Sequence, residues 1–194
     1  MTFLRIGAVL FAAFVLTACG GSPIGGSPTS PTNTGTLAVM LKDKPSDDAR
    51  AALVTFSGVT AHRDGGDSVS LPFADGKATR TCDLKKLVGV EDFLGTGPLE
   101  PGHYSQLRLT VSRATLNFGN PSSGPPCAAT IAPPPGGNLV IDVSPETVIL
   151  NGEFDVTANQ TTTITLDFDA EQSILRTTDG IYRMTPVVRI VGVR

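Results

Sequence analysis

The chain has 194 residues, with 15 Lys and Arg against 18 Asp and Glu, a formal net charge of −3, no Trp and two Tyr. Lys42, Lys44, Lys85 and Lys86 are scattered between acids rather than clustered, which argues against nucleic-acid binding. The scarcity of Trp and Tyr weakens the case for a stacking-type sugar or peptide groove without excluding one.

Residues 1–18 have the parts of an export signal. Arg5 is the positive start, and Ile6 to Leu16 is an apolar run of about 11 residues, within signal-peptide length. It is too short to span a membrane, which takes about 20 residues. Leu16-Thr17-Ala18-Cys19 has the order and spacing of a bacterial lipobox. The expectation is acylation at Cys19, which becomes the mature N-terminus. The competing reading is an ordinary secretory signal whose cleavage site falls near a cysteine. Gly20 rather than Asp follows Cys19, and by the sorting rule of such lipoproteins this favours the outer membrane. Three acyl chains meet the two-signal requirement for stable anchoring. No later apolar run approaches spanning length.

Gly20 to Thr34 holds little but Gly, Ser, Pro and Thr. Such a segment buries too little apolar area to offset its ordering entropy, so residues 19–34 read as a lipidated cysteine and flexible tether. About 175 residues follow Cys19, enough for one self-sufficient domain, assigned to 35–194.

Gly35 to Lys42 alternates, with Leu37, Val39 and Leu41 on one face of a strand. Asp43 to Asp48 is a turn. Leu53 to Arg63 is a second strand whose apolar face switches from even to odd numbers near Ser57-Gly58, which predicts a β-bulge. Asp64-Gly65-Gly66-Asp67 has hairpin chemistry, and Val69 to Phe73 returns as a short strand. Cys82 to Gly95 is ambiguous: Leu84, Leu87 and Val88 have helical spacing, Asp83 suits an N-cap, and Gly89 limits any helix to about two turns. Pro101-Gly102 suits a type II turn. His103 to Phe118 is the longest strand, with a second bulge expected near Ser112-Arg113.

Residues 119–137 form a Pro/Gly-rich insertion, read as a surface loop outside the sheet. Leu139 to Val143 and Thr147 to Leu150 are short strands. Asn151-Gly152 carries a type I′ hairpin signal, after which Glu153 to Thr157 pairs back. Thr161 to Asp169 alternates, with Ile164, Leu166 and Phe168 inward and Thr165, Asp167 and Asp169 outward. Ala170 to Leu175 allows a helical turn. Tyr182 to Val193 closes the chain as one strand, apolar on both faces and therefore well covered. Short strands with turn signals at roughly ten-residue spacing indicate an all-β, antiparallel β-sandwich.

The motifs Gly35-Thr-Leu-Ala-Val with Asp43-x-Pro45, then Asp83-Leu84 with Leu87, then Leu99-x-Pro101-Gly102-x-Tyr104-x-Gln106-Leu107-Arg108-Leu109, then Leu166-Asp167-Phe168-Asp169-Ala170-x-x-Ser173-Ile174, and last Pro186-Val187-Val188-Arg189 resemble the bacterial and archaeal domain of unknown function family 4382. The resemblance covers about residues 35 to 193. It implies a lipid-anchored or secreted sandwich of the immunoglobulin- or transthyretin-like kind, and it supplies no activity.

The sequence presents no catalytic constellation. His62 and His103 lack metal-ligand neighbours at a useful spacing, and there is no Gly-x-Ser-x-Gly elbow. Asp167 and Asp169 share a strand face and, with Asp43, Asp47 and Asp48, supply hard oxygens of the kind calcium takes. The alternative is structural: Asp167 faces solvent or pairs with Arg108 or Arg189, and Asp169 caps the turn at Ala170. Tyr104, Gln106 and Arg108 are read as pointing the same way, either toward a ligand or into a cross-strand network. With Cys19 consumed by lipid, Cys82 and Cys127 remain as a disulfide candidate in an oxidising compartment; the alternative is two separate thiols.

The expectation is therefore a non-enzymatic, lipid-anchored envelope protein without cofactor, serving as an interaction or structural module. Its partners are the membrane, through the anchor, and an envelope protein or glycan. One rival is a carbohydrate- or small-solute-binding module. Another is an adhesin or pilus-like subunit that assembles by strand addition.

Overall fold

The computed structural model describes residues 33–44 and 49–194. The export signal, Cys19, the tether up to residue 32, Asp47 and Asp48 lie outside the described residues. In chain order the strands are β1 (Gly35–Asp43), β2 (Ala51–Arg63), β3 (Ser68–Ser70), β4 (Arg80–Asp83), β5 (Asp92–Leu99), β6 (Gly102–Asn117), β7 (Cys127–Ala128), β8 (Asn138–Val143), β9 (Thr147–Val156), β10 (Thr161–Phe168), β11 (Ile174–Arg176), β12 (Tyr182–Met184) and β13 (Val188–Val193). A 3-10 turn covers Leu84–Lys86, and a one-turn helix, α1, covers Ala170–Ser173.

The chain is all-β, and its strands form two sheets in a sandwich-like arrangement. The smaller sheet has the order β13-β10-β1-β5, and the larger runs β11-β12-β8-β6-β2-β4-β7 with β3 and β9 attached to β2 and β6. Most pairings are antiparallel as expected, with two exceptions. β1 pairs with β10 in parallel, as β12 does with β8. These partners lie far apart in sequence, and local hairpin signals carry no information about them.

Apolar alternation builds the core. Leu37, Val39 and Leu41 of β1 and Ile164, Leu166 and Phe168 of β10 are buried, and so are Val54, Phe56, Val59, Leu107, Leu109 and Val111 from the larger sheet. Phe56 and Phe168 meet edge to face across the sandwich, with ring centroids 6.2 Å apart.

The two expected bulges are present and lie opposite one another. The β2–β6 register skips Ser112 between Arg113 and Val111, then skips Ser57 between Phe56 and Gly58. Each strand gains one residue at the same level, so both apolar faces change parity together and stay on the core side.

Several local expectations give way to tertiary context. Asn151-Gly152 makes no hairpin: β9 runs straight through it along β6, with a register shift opposite Tyr104 and Gln106. A Cβ on Gly152 would lie 2.6 Å from Ile190 Cδ1 of β13, so a larger residue there makes that side-chain end shift. Tyr182 to Val193 is two strands rather than one. β12 joins the larger sheet, and β13 forms an edge of the smaller one with Val191 and Val193 exposed. The ambiguous stretch after Cys82 yields only the 3-10 turn, whose N-cap Asp83 accepts from Lys85 N–H as expected. It then enters β5, which its glycines and proline had concealed. Gly102 adopts φ 149, not the value near +80° of a type II turn.

The start of β6 is fixed by Tyr104. A further bulge at Ser105 turns this residue inward. Its hydroxyl donates to the carbonyl of Glu100 at 2.9 Å, and its ring stacks on Phe154 at 5.4 Å. This bond forms a corner that ties the entrance of β6 to the turn just before it. Tyr104→Phe keeps the stack and loses the bond, so a loss of about 1 kcal/mol is expected in urea denaturation. Tyr104→Ala should lose about 3–5 kcal/mol. Equal stability of Tyr104→Phe and the parent chain would remove the corner as a stabilising element.

Candidate functional site

Three of the sequence motifs converge on structural junctions. At the first, Asp43 ends β1 with only 5% exposure. Its Oδ1 accepts from Ala170 N–H at 3.0 Å, and its backbone N–H donates to Leu87 O. One carboxylate thus ties β1 to α1 beside the 3-10 segment. Its Oδ2 is buried without a hydrogen-bond partner. Burial pushes the Asp43 carboxyl up to about 7, aided by Asp167 and Asp169, while the N–H groups of Ala170 and Lys44 pull the other way.

Asp169 caps α1 as expected, accepting from Gln172 N–H at 3.1 Å, and it pairs with Lys44 Nζ at 3.1 Å. Burial pushes its carboxyl up, but the Gln172 N–H and the Lys44 ammonium outweigh this and hold it below the ordinary carboxylate value. Asp169 and Thr165, expected to face outward, are not exposed to solvent. Both are buried, Asp169 under its cap and Thr165 beneath Arg194, whose Nη1 reaches Thr165 Oγ1 at 3.3 Å. Asp167 stands between Lys42 and Arg189 in register. Arg108 lies in the other sheet, so that proposed pairing is ruled out by topology. Among the described residues, no three His, Cys, Asp or Glu side chains group as metal ligands.

The residues Tyr104, Gln106 and Arg108 do not share a face. The Ser105 bulge sends Tyr104 into the core. Gln106 and Arg108 stay outside, joined in a chain in which Arg108 Nε donates to Gln106 Oε1 at 2.7 Å and Gln106 Nε2 donates to Asn151 Oδ1 at 3.0 Å. This is the cross-strand network alternative. The histidines sit at strand ends: His62 Nδ1 lies 3.0 Å from Ser68 Oγ, and His103 Nδ1 lies 3.0 Å from Asp155 Oδ1. The Asp155 carboxylate raises the His103 imidazole above its ordinary value.

The third junction holds the insertion 119–137, and here the expectation of a loop outside the sheet is corrected. Cys127 and Ala128 pair with β4, and Cys127 forms a disulfide with Cys82. Cys127 N–H donates to Asp92 Oδ2, and Asp92 also pairs with the nearly buried Arg80, which holds Asp75 at 2.9 Å. Ser122 donates to Asp83 Oδ2, while Asn117 Nδ2 donates to the carbonyl of Gly136. Proline has no N–H to give a ladder and glycine has no side chain to pack, so side-chain bonds to backbone carbonyls and a covalent bond hold the loop instead. Arg80 and Asp92 escaped the sequence reading because partners 12 residues apart across a turn leave no periodic trace.

So held, the insertion lies over the outer face of β4, β2 and β6. It leaves a cleft of about 270 Å³ between Leu53, Thr55, Thr81, Arg113 and Thr115 below and Ile131 above. A broader cleft of about 550 Å³ lies beside the 3-10 turn, lined by Arg50, Asp83, Lys85 and Lys86. Its one acid, Asp83, is already engaged by Ala52 N–H, Lys85 N–H and Ser122 Oγ.

The family model described as "Domain of unknown function (DUF4382)" matches residues 34–186 of the chain. No curated protein and no solved structure matches at a significant level.

Two predictions follow from these junctions. Because the folded Asp43 carboxyl lies near 7 rather than 3.8, its contribution to stability is complete below about pH 4, declines as pH rises and is gone once pH passes about 7. Asp43→Asn should match the parent near pH 4 and exceed it at pH 8, by up to about 4 kcal/mol in denaturant melts. Parallel pH profiles would refute the assignment. Cys127→Ser opens a loop with a sequence separation of 45, and in the chain-entropy model should cost up to about 4 kcal/mol. Limited proteolysis should then cut within 119–137; an insertion equally resistant in both chains would show that the bridge does not hold it.

Proposed function

The chain belongs to the DUF4382 family, and on that premise we propose that it is a non-enzymatic, lipid-anchored protein of the cell envelope, most simply of the outer membrane. Its sandwich, of the immunoglobulin-like kind, serves as an interaction module. The observation that carries this reading is the Cys82–Cys127 disulfide. Structural disulfides persist in oxidising compartments beyond the cytoplasm. The bridge therefore agrees with the export signal of residues 1–18 and with a lipobox that supplies Cys19 for acylation. The Tyr104 corner supports the immunoglobulin-like assignment.

The reading as a binding rather than catalytic module is supported by the employment of the polar residues. Asp43, Asp83, Asp92 and Asp169 are engaged in holding elements together, and His62 and His103 bond to neighbours at strand ends. A second reading, assembly by strand addition, is favoured by one feature: β13 is an edge strand that exposes Val191 and Val193.

Metabolic labelling with an alkynyl palmitate analogue tests the anchor. The parent chain should be labelled and recovered in the membrane fraction, and Cys19→Ala should lose the label and the membrane association. Labelling that survives Cys19→Ala refutes the anchoring site.

A further inference from the structure

We propose that the cleft under the insertion is a binding site for a small hydroxylated carboxylate of sugar-acid size. The proposal deepens the reading of this domain as an interaction module, and it does not depend on the lipid anchor.

The floor is a lattice of side chains from three strands. Thr81 of β4 pairs with Thr55 of β2, which pairs with Arg113 of β6. These three stand in one row across the outer face, with neighbouring strands about 4.8 Å apart and the row about 10 Å long. One step along, Thr115 stands beside Leu53. The bulge at Ser112 permits this row, since unbroken alternation from Val111 through Ser112 would turn Arg113 and Thr115 to the core. The roof comes from the insertion, whose Ile131 is buried over Leu53 in the same cleft.

The chemistry of the walls selects the ligand. Arg113 is the sole charged residue lining the cleft, and it takes part in none of the ion pairs among the described residues. A guanidinium of this kind presents a donor fork suited to a carboxylate. One positive charge balances one negative charge, so a monoanion fits better than a dianionic phosphate, whose second charge would be left uncompensated.

The Thr55 and Thr81 hydroxyls lie 3.0 Å apart. Their mutual bond uses one O–H and leaves the other O–H and several lone pairs for a ligand. Thr115 adds a hydroxyl at a residue only 5% exposed. Hydroxyls that donate and accept are the natural partners of sugar hydroxyls. A volume of about 270 Å³ is at the small end for ligand pockets and suits a single six-carbon ring.

Titration calorimetry of the full-length chain in detergent with D-galacturonate tests the site, with D-galactose as the neutral control. Saturable binding in the millimolar range or tighter is expected, at least tenfold stronger for galacturonate than for galactose. Arg113→Gln should weaken galacturonate at least tenfold. Arg113→Lys, which keeps the charge, should retain more of the binding than Arg113→Gln. Arg113 is exposed, so both variants should melt with the parent. Trigalacturonate binding as tightly as the monomer would identify the end of an acidic polysaccharide as the source; binding of the monomer alone would identify a free sugar acid. Absence of saturable galacturonate binding, equal affinity for galactose, or indifference to Arg113→Gln would each overturn the proposal. Any of these results would leave acylation at Cys19 untouched, so the site and the anchor stand or fall separately.

Discussion

The larger sheet depends on two long strands changing parity at the same level. β2 buries Val54 and Phe56 before its bulge and Val59 and Ala61 after it, and β6 buries Ala114 and Leu116 on one side of Ser112 and Leu107, Leu109 and Val111 on the other. A bulge in only one strand would slip the pairing and turn half of the apolar set to solvent. Opposed extra residues instead leave the ladder paired on both sides and bend the two strands together. The strands are then long enough for β4 and β3 to share one side of β2, and for β8 and β9 to share one side of β6.

The smaller sheet is closed by a different device. β1 and β10 run in parallel, so no tight turn can join them, and the end of the pair needs its own fastening. Asp43 supplies it by accepting the first N–H of α1, and Asp169 accepts the N–H of Gln172 in the same turn while engaging Lys44. The Asp-x-Pro and Leu-Asp-Phe-Asp-Ala motifs, 127 residues apart at Asp43 and Ala170, are two halves of this one clasp. Its buried carboxylate with an unpartnered oxygen makes the clasp sensitive to proton concentration.

The insertion shows how a segment poor in strand-forming residues becomes part of the structure. A disulfide, an aspartate bridging Arg80 and Cys127 N–H, and an asparagine bonded to loop carbonyls together replace a ladder. The same fastening converts a flat sheet face into a cleft. Polar threonines that would otherwise be ordinary outward residues are thereby partly enclosed, which raises the strength of any hydrogen bond they make.

Periodicity alone settled most strands, both principal bulges and the caps at Asp83 and Asp169, because alternation and capping are local and repeat over neighbouring residues. The even count of cysteines left after Cys19 likewise singled out Cys82 and Cys127. Tertiary structure decided the rest. Asn151-Gly152 reads as a turn in isolation, yet pairing with the long strand β6 holds it within β9 and outweighs a two-residue preference. Alternation alone puts Tyr104 on the wrong face, since one bulged residue at Ser105 inverts everything before it. The parallel partnership of β1 with β10, and the row of Thr81, Thr55 and Arg113 beneath the insertion, join strands whose sequence separations carry no local signal. Such contacts exist only once the sheets have formed.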